Sequence, residues 1–282
     1  MRLTDEEMDE YNKNGFILLP NLFSPDEVDA LRTELPAIAE RNSPARVVEK
    51  DGRIVRSVYG SHKTNKVFGR LTRHPRILVP AMQILNSDLY VYQFKLNIKA
   101  AFHGDIWEWH QDYVFWHHED GMPRPDVTNV SIFLDEVTEF NGPLFFIPNS
   151  HSQGMIDVPA RKLDDPPNAA RQIPYEDKPA WITSLTVDLK YGLGKETVTK
   201  LVDRYGIVAP KGPAGSALFF HCNLVHGSPN NISPHDRAVI IITYNRVGNA
   251  PKSVGEPRPD FLAERDSSPL TPLSDDVLCK LS

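Results

Sequence analysis

The stretch 91-VYQFKLNI-98 decides how the chain is read. Tyr92, Phe94, Leu96 and Ile98 alternate with Val91, Gln93, Lys95 and Asn97, a period of two that predicts a strand with an apolar row on one side and a mostly polar row on the other. Such a strand has a polar working face. Downstream, 127-VTNVSIFLDEV-137, 144-LFFIP-148, 215-GSALFFH-221 and 237-RAVIIITYN-245 are further strand candidates, each bounded by Gly, Pro, Asn or Ser. Upstream the signals are helical. Thr4 with Glu7, and Ser24 with Glu27, form capping boxes, the second with Pro25 at the first helical position before VDALRTELPAIAE. Residues 16 to 20 read as a short strand, and 73-RHPRILVPAMQIL-85 as a helix interrupted or restarted near Pro80. Helices first, then many strands without regular helical crossovers, predict a mainly β fold, an antiparallel barrel or sandwich packed by helices.

The chain has 282 residues, 40% of them apolar and 24% charged, enough for a full hydrophobic core and too many for a mini-protein that depends on staples. Its net charge of −6 and the absence of a Lys/Arg run argue against nucleic acid as a partner. Cys222 and Cys279 are the only cysteines, far apart in unlike surroundings, which suggests a reducing, cytoplasmic setting. The opening MRLTDEEMDEYNKNG lacks a signal peptide's basic and apolar regions, and no segment approaches 18 apolar residues, so no membrane contact is expected. Residues 155–207, rich in proline and charge with a helix candidate at 196–207, read as an insertion that either covers a pocket mouth or lies at the periphery. From Pro251 onward a surface tail is expected. Residues 1–282 are thus expected to form a single domain, with monomer or homodimer left open.

The densest chemistry lies in 107-WEWHQDYVFWHHEDGMP-123. On a strand, His110 and Asp112 would point to the same face with Cα atoms about 6.6 Å apart, a pair able to grip one divalent metal ion. A distant histidine would complete two histidines and one carboxylate. His226, just after an aromatic strand and before a turn, is the leading candidate, with His221 as the alternative. His117 and His118 read as rim or structural histidines. Arg237, at the start of a strand whose face it shares with Val239, Ile241 and Thr243, offers a bidentate clamp for a carboxylate.

His110-x-Asp112, 141-NGPLFFIPNSH-151, 226-HGS-228 and Arg237 together resemble the phytanoyl-CoA dioxygenase-like superfamily of non-haem iron(II), 2-oxoglutarate-dependent oxygenases, over about residues 10–248. Within it, 93-QFKLN-97, WHQDY and 58-VYGSH-62 are similar to segments of ectoine hydroxylases and of bacterial hydroxylases of free amino acids. The resemblance implies a double-stranded β-helix, the cupin-like jelly roll, flanked by helices. It also implies that His110, Asp112 and His226 bind Fe(II), that Arg237 pairs with the distal carboxylate of 2-oxoglutarate, that Asn97 contacts this cosubstrate and that Ser228 assists. Gln93 and Trp116 would border the substrate. Dioxygen would be the second cosubstrate, and the retained Asp112 argues for hydroxylation over halogenation.

Tyr59, His62, Gln93, Lys95, Phe115 and Trp116 mix polar groups with aromatics, which suits a small polar molecule. A free amino acid is the leading expectation. Ectoine or a related compatible solute, another small metabolite including one that is desaturated, and a nonenzymatic cupin-like binding protein are the alternatives.

Overall fold

The computed structural model describes residues 1–49, 51–160, 189–252 and 254–279. Both capping boxes form: Thr4 caps α1 (Asp5–Asn14) and Ser24 caps α2 (Pro25–Thr33), and each glutamate three residues on accepts from the cap's own N–H. Between them β1 (Phe16–Leu19) is the expected short strand. VDALRTELPAIAE breaks at Glu34 into α2 and α3 (Leu35–Glu40), because Pro36 has no N–H to return to the Arg32 carbonyl. After β2 (Arg46–Val48), β3 (Val55–Tyr59) and α4 (Lys66–Leu71) comes α5 (Pro75–Leu85). The interruption expected near Pro80 is absent. The helix runs through this proline, giving up one backbone bond while Ile77, Leu78 and Ala81 are buried completely.

The remaining elements are mostly strands: β4 (Leu89–Lys99), β5 (Trp107–His110), α6 (Asp112–Asp120), β6 (Val127–Phe133), β7 (Phe145–Phe146), α7 (Lys195–Tyr205), β8 (Ala217–His221), β9 (His226–Ser228) and β10 (Arg237–Arg246). They form a seven-stranded sheet in the order β1-β8-β6-β10-β4-β3-β2 and a three-stranded sheet in the order β5-β9-β7. Every pairing is antiparallel. The large sheet is buried on both faces, which is why β10 reads as an almost continuous apolar run and why even the polar Thr128, Asn129 and Ser131 of β6 are buried. One face packs Phe94, Leu96, Ile132, Phe219, Ile240 and Ile242 with Phe68, Leu71, Ile77 and Leu78 of the helices. On the other, Phe133, Leu218, Phe220, Val239 and Ile241 meet Phe146 of the small sheet. Two facing antiparallel sheets flanked by helices are what a jelly roll requires. Among the described residues no helix is long and apolar enough to cross a membrane.

Two further expectations change in the sheet and the C-terminal segment. Tyr92 does not share a face with Phe94: the register between β10 and β4 shifts after Thr243, pairing Thr243 with Gln93 and Tyr244 with Val91, so Tyr92 bulges. The extra residue flips the pleat. Val91 joins the helix-side core, while Tyr92 packs with Trp116 on the working side. Nor is the C-terminal stretch a surface tail. Leu262, Ala263 and Leu278 are fully buried, and the N–H groups of Glu264 and Leu270 donate to the Tyr92 and Leu89 carbonyls of β4. Of the region 155–207, residues 161–188 lie outside the described residues; α7 matches the helix candidate at 196–207.

Candidate active site

His110 and Asp112 do not lie on one strand. β5 ends at His110, and Asp112 is the first residue of α6. The pair still faces one way because Gln111 between them is extended, with φ −114° and ψ 138°. Gln111 is also locked in place: its Nε2 donates to the carbonyls of Asn223 (2.6 Å) and Gly154 (2.9 Å), and its Oε1 accepts from the Ile156 N–H at 2.8 Å. β9 brings His226 opposite His110 in register, against the rings of Phe146 and Phe220. His221, the alternative, turns away, accepting from the Asn223 N–H and facing the His151 ring.

His110, Asp112 and His226 each offer one ligand atom, and these atoms lie within 4.8 Å of one another. His110 Nε2 is 3.8 Å from Asp112 Oδ1, and His226 Nε2 is 3.9 Å from Asp112 Oδ2. Each imidazole is oriented through its other nitrogen: Nδ1–H of His110 donates to the Glu108 carbonyl at 2.6 Å and that of His226 to the Leu224 carbonyl at 2.9 Å. Both Nε2 lone pairs therefore face the centre, the arrangement that metal-binding imidazoles need. Burial pushes His110 down to about 3 and lowers His226, so both rings are neutral near pH 7. Burial alone would raise the Asp112 carboxyl. It is instead held below its usual range by Lys95, whose Nζ is 3.9 Å away, by the two histidines and by Asn129, whose Nδ2 donates to Oδ2 at 2.9 Å. Thr243 Oγ1 in turn donates to Asn129 Oδ1 at 2.7 Å.

The pocket beside this centre is lined by Tyr59, Gln93, Lys95, Asn97 and Trp116 as well as by His110, Asp112 and His226. Phe115, Leu144, Leu189, Ile241 and Arg258 complete much of the wall. The polar row of β4 thus does face the pocket. Beyond Leu144 a second, smaller cavity is lined by Ser131, Val239 and Arg237.

Residues 11–239 match the family model described as phytanoyl-CoA dioxygenase (PhyH). The chain belongs to the phytanoyl-CoA dioxygenase family. The L-proline trans-4-hydroxylase of Streptomyces griseoviridis is 40% identical over 268 residues, 95% of either chain. The ectoine dioxygenase of Stutzerimonas stutzeri is 36% identical over 273 residues, covering 93% of this chain and 84% of that protein. The crystal structure of EctD from S. alaskensis with 2-oxoglutarate and 5-hydroxyectoine has a TM-score of 0.77 at 32% identity, covering 95% of this chain and 86% of that one.

This family member's residues fit both groups with which EctD was solved. Two neutral imidazoles and a carboxylate converging on one point are a donor set for a divalent first-row metal ion, with positions left for other ligands. For a dicarboxylate the fit rests on buried groups that lack partners. Arg237 is fully buried and donates only to the carbonyls of Gly142 and Asn141, with no carboxylate at ion-pair distance among the described residues. Burial pulls it down to about 10, with Asp135 opposing. Asn97 Oδ1 and Ser131 Oγ are buried without a hydrogen-bond partner. Ser228 Oγ donates to the Gly142 carbonyl at 2.9 Å, beside the Arg237 guanidinium.

His62 stands apart from the pocket that holds Tyr59 and Gln93. After Gly60 (φ 65°) a short 3-10 turn lays its ring on Phe94, 5.1 Å between centroids, against the helix-side face of β4. It lines a separate cleft with Tyr90 and Glu264. His117 bonds to the Met122 carbonyl and His118 to Asp157, and neither joins the metal group. Three residues of the site escaped the sequence reading. Asn129 and Ser131 could have been found, since they alternate on the inner face of the β6 strand. Arg258 carried no such signal: it is 138 residues from Asp120, its partner through Nε (2.8 Å) and Nη2.

Proposed function

We propose that this chain is an Fe(II)- and 2-oxoglutarate-dependent dioxygenase that hydroxylates a C–H bond of a free amino acid, with L-proline or a similarly small one as substrate. The observation that carries the reading is the convergence of His110, Asp112 and His226 on the pocket, with the unmatched Arg237 in the smaller cavity beyond Leu144. His110, Asp112 and His226 would hold the iron; Arg237, Asn97 and Ser131 would hold the cosubstrate, with Ser228 fixing the backbone carbonyl that orients the guanidinium. When bound, iron and 2-oxoglutarate supply the oxidising chemistry, in which dioxygen is consumed, 2-oxoglutarate becomes succinate and carbon dioxide, and one oxygen atom ends on the substrate carbon.

The chain's own residues bind, orient and exclude water. The Nδ1 bonds keep both imidazoles in the tautomer that presents Nε2. Asn129 and Lys95 keep Asp112 ionised. Phe115, its ring edge-on to both His110 and Tyr191, and Leu189 give the pocket an apolar wall where water would compete. Arg258 supplies a buried cation to the same wall, its plane fixed by Asp120, which also accepts from Tyr92. A guanidinium so placed suits a substrate carboxylate, and Gln93 and Trp116 suit the remainder of a small polar molecule. Gln93 is tied to the C-terminal segment through its Nε2 bond to the Leu262 carbonyl at 2.7 Å.

The proline hydroxylase relative supports a free amino acid, and the ectoine dioxygenases support ectoine as the second reading. Residues 1–282 are read as one oxygenase domain in a reducing cytoplasm. A panel of proline, leucine, isoleucine and ectoine, incubated with oxygen-18 gas while succinate and product are both quantified, separates the readings. Label entering proline or another amino acid supports the leading proposal. Turnover confined to ectoine would replace it, and a product that loses two hydrogens without gaining oxygen would make the enzyme a desaturase.

A further inference from the structure

Lys99 is a buried lysine with no obvious use. It is the last residue of β4 and the register partner of Arg237 on β10, and it is only 3% exposed. Its amine donates to two backbone carbonyls, those of Asp105 (2.8 Å) and Pro229, and to no carboxylate. Its stem runs along Gly142, where an added Cβ would come within 2.5 Å of Lys99 Cδ; Gly142 also has φ 73°, so the position demands glycine twice over. The carbonyl of that same glycine receives Arg237 and Ser228. Lys99 and Arg237 therefore flank a single residue of backbone, Gly142, beside the smaller cavity that Arg237 lines.

The charged groups around the amine come from every neighbouring element. Arg237 is on β10, Arg56 on β3, Glu49 lies beyond β2, and Asp105 precedes β5. Glu49 is taken by Arg56 at 3.1 Å and by the Asp105 N–H at 3.2 Å, and the Asp105 carboxylate accepts from the Ile106 N–H at 2.7 Å. His235 and Asp236, on the turn leading into β10, are exposed, and Asp236 caps the Ala101 N–H. Lys99 and Arg237 thus share a buried region in which neither meets a carboxylate at ion-pair distance among the described residues. Burial, then repulsion from Arg237 and Arg56, brings Lys99 down to about 6.

We propose that Lys99 is a second cation of the 2-oxoglutarate site, and that binding of the dicarboxylate beside Arg237 draws a proton onto its amine. The inference rests on the reading of Arg237 as the cosubstrate anchor. It makes Lys99 a positioning residue, acting on the ligand through the field and through the backbone it shares with Arg237. In the free enzyme the amine is largely neutral above pH 6; a bound dianion raises its affinity for a proton. Binding is then tightest at and below pH 6. It weakens as pH rises from the free value towards the raised one, by about tenfold for each unit that the ligand adds.

The test is anaerobic calorimetry of 2-oxoglutarate binding to the Fe(II)-loaded enzyme at pH 7, in two buffers of different ionisation enthalpy. The wild type should take up about half a proton to one proton per ligand bound. Lys99→Met should take up none and bind more weakly. Lys99→Arg, permanently charged, should also take up none and should lose the pH dependence. If the variants do not fold, the Zn(II)-loaded wild type with ε-13C lysine answers directly: one lysine should titrate near pH 6 alone and at higher pH with 2-oxoglutarate. No uptake by the wild type, unchanged uptake in Lys99→Met, or no ligand-dependent lysine titration overturns the role of Lys99. Failure of 2-oxoglutarate to bind at all overturns instead the cosubstrate reading on which it rests.

Discussion

The two ends of the site, the pocket at the metal group and the smaller cavity beyond Leu144, are built on opposite plans. At the metal end the groups that orient the three ligands are all partnered: Asp112 receives Asn129, Asn129 receives Thr243, and both imidazoles are fixed through Nδ1. At the far end, Arg237 has only backbone carbonyls, while Asn97 Oδ1 and Ser131 Oγ have no partner. Buried groups left this way cost stability and are retained where something else satisfies them. The difference separates a preorganised metal cradle from a surface that its ligand completes.

Four substitutions probe that contrast, and the largest effect belongs to the metal end. Asp112→Ala should abolish turnover and leave no stoichiometric iron after anaerobic gel filtration, because no other carboxylate among the described residues reaches the two histidines. Arg237→Ala should weaken 2-oxoglutarate binding by about 2–5 kcal/mol, the cost of removing one partner of a buried charged hydrogen-bonded pair. Iron content should be unchanged, so a loss of iron in this variant would merge the two ends. Asn129→Ala should lower iron affinity about 10- to 100-fold, as loss of a group that orients a ligand does. Its affinity for 2-oxoglutarate at saturating iron should stay near that of the wild type.

Ser131→Ala gives the smallest change and the sharpest one. Removing a buried hydroxyl with no partner should leave the melting temperature of the ligand-free protein unchanged or raised, whereas 2-oxoglutarate binding should weaken by about 0.5–1.5 kcal/mol. Destabilisation of the ligand-free protein together with unchanged binding would mean that the hydroxyl serves the fold.

Much of this was legible in the sequence because it is local. Period two along 91–98 marked the working face, the capping boxes marked the helices, and His110, Asp112, His226 and Arg237 stood out by residue type and place. Where reading by position failed, a long-range or single-residue event intervened. One bulge moves Tyr92 to the other face. One left-handed glycine, Gly60, sends His62 to the helix side of β4, although it is only three residues from pocket-lining Tyr59. The C-terminal segment looked like a tail because proline and charge outnumber its few anchors, yet Leu262 and Leu278 are buried and Arg258 reaches the pocket wall. Strand periodicity reports which side a residue faces and says nothing about contacts made across more than a hundred residues.

The central claim is that one end holds Fe(II) and the other anchors the dicarboxylate that chelates it. Anaerobic addition of 2-oxoglutarate to the Fe(II)-loaded protein, followed by visible absorption, tests this most directly. The expected result is a weak charge-transfer band that saturates at one 2-oxoglutarate per chain, is lost in Asp112→Ala, and needs a much higher ligand concentration in Arg237→Ala. A band that is absent from the wild type, or that appears unchanged in both variants, would contradict the claim.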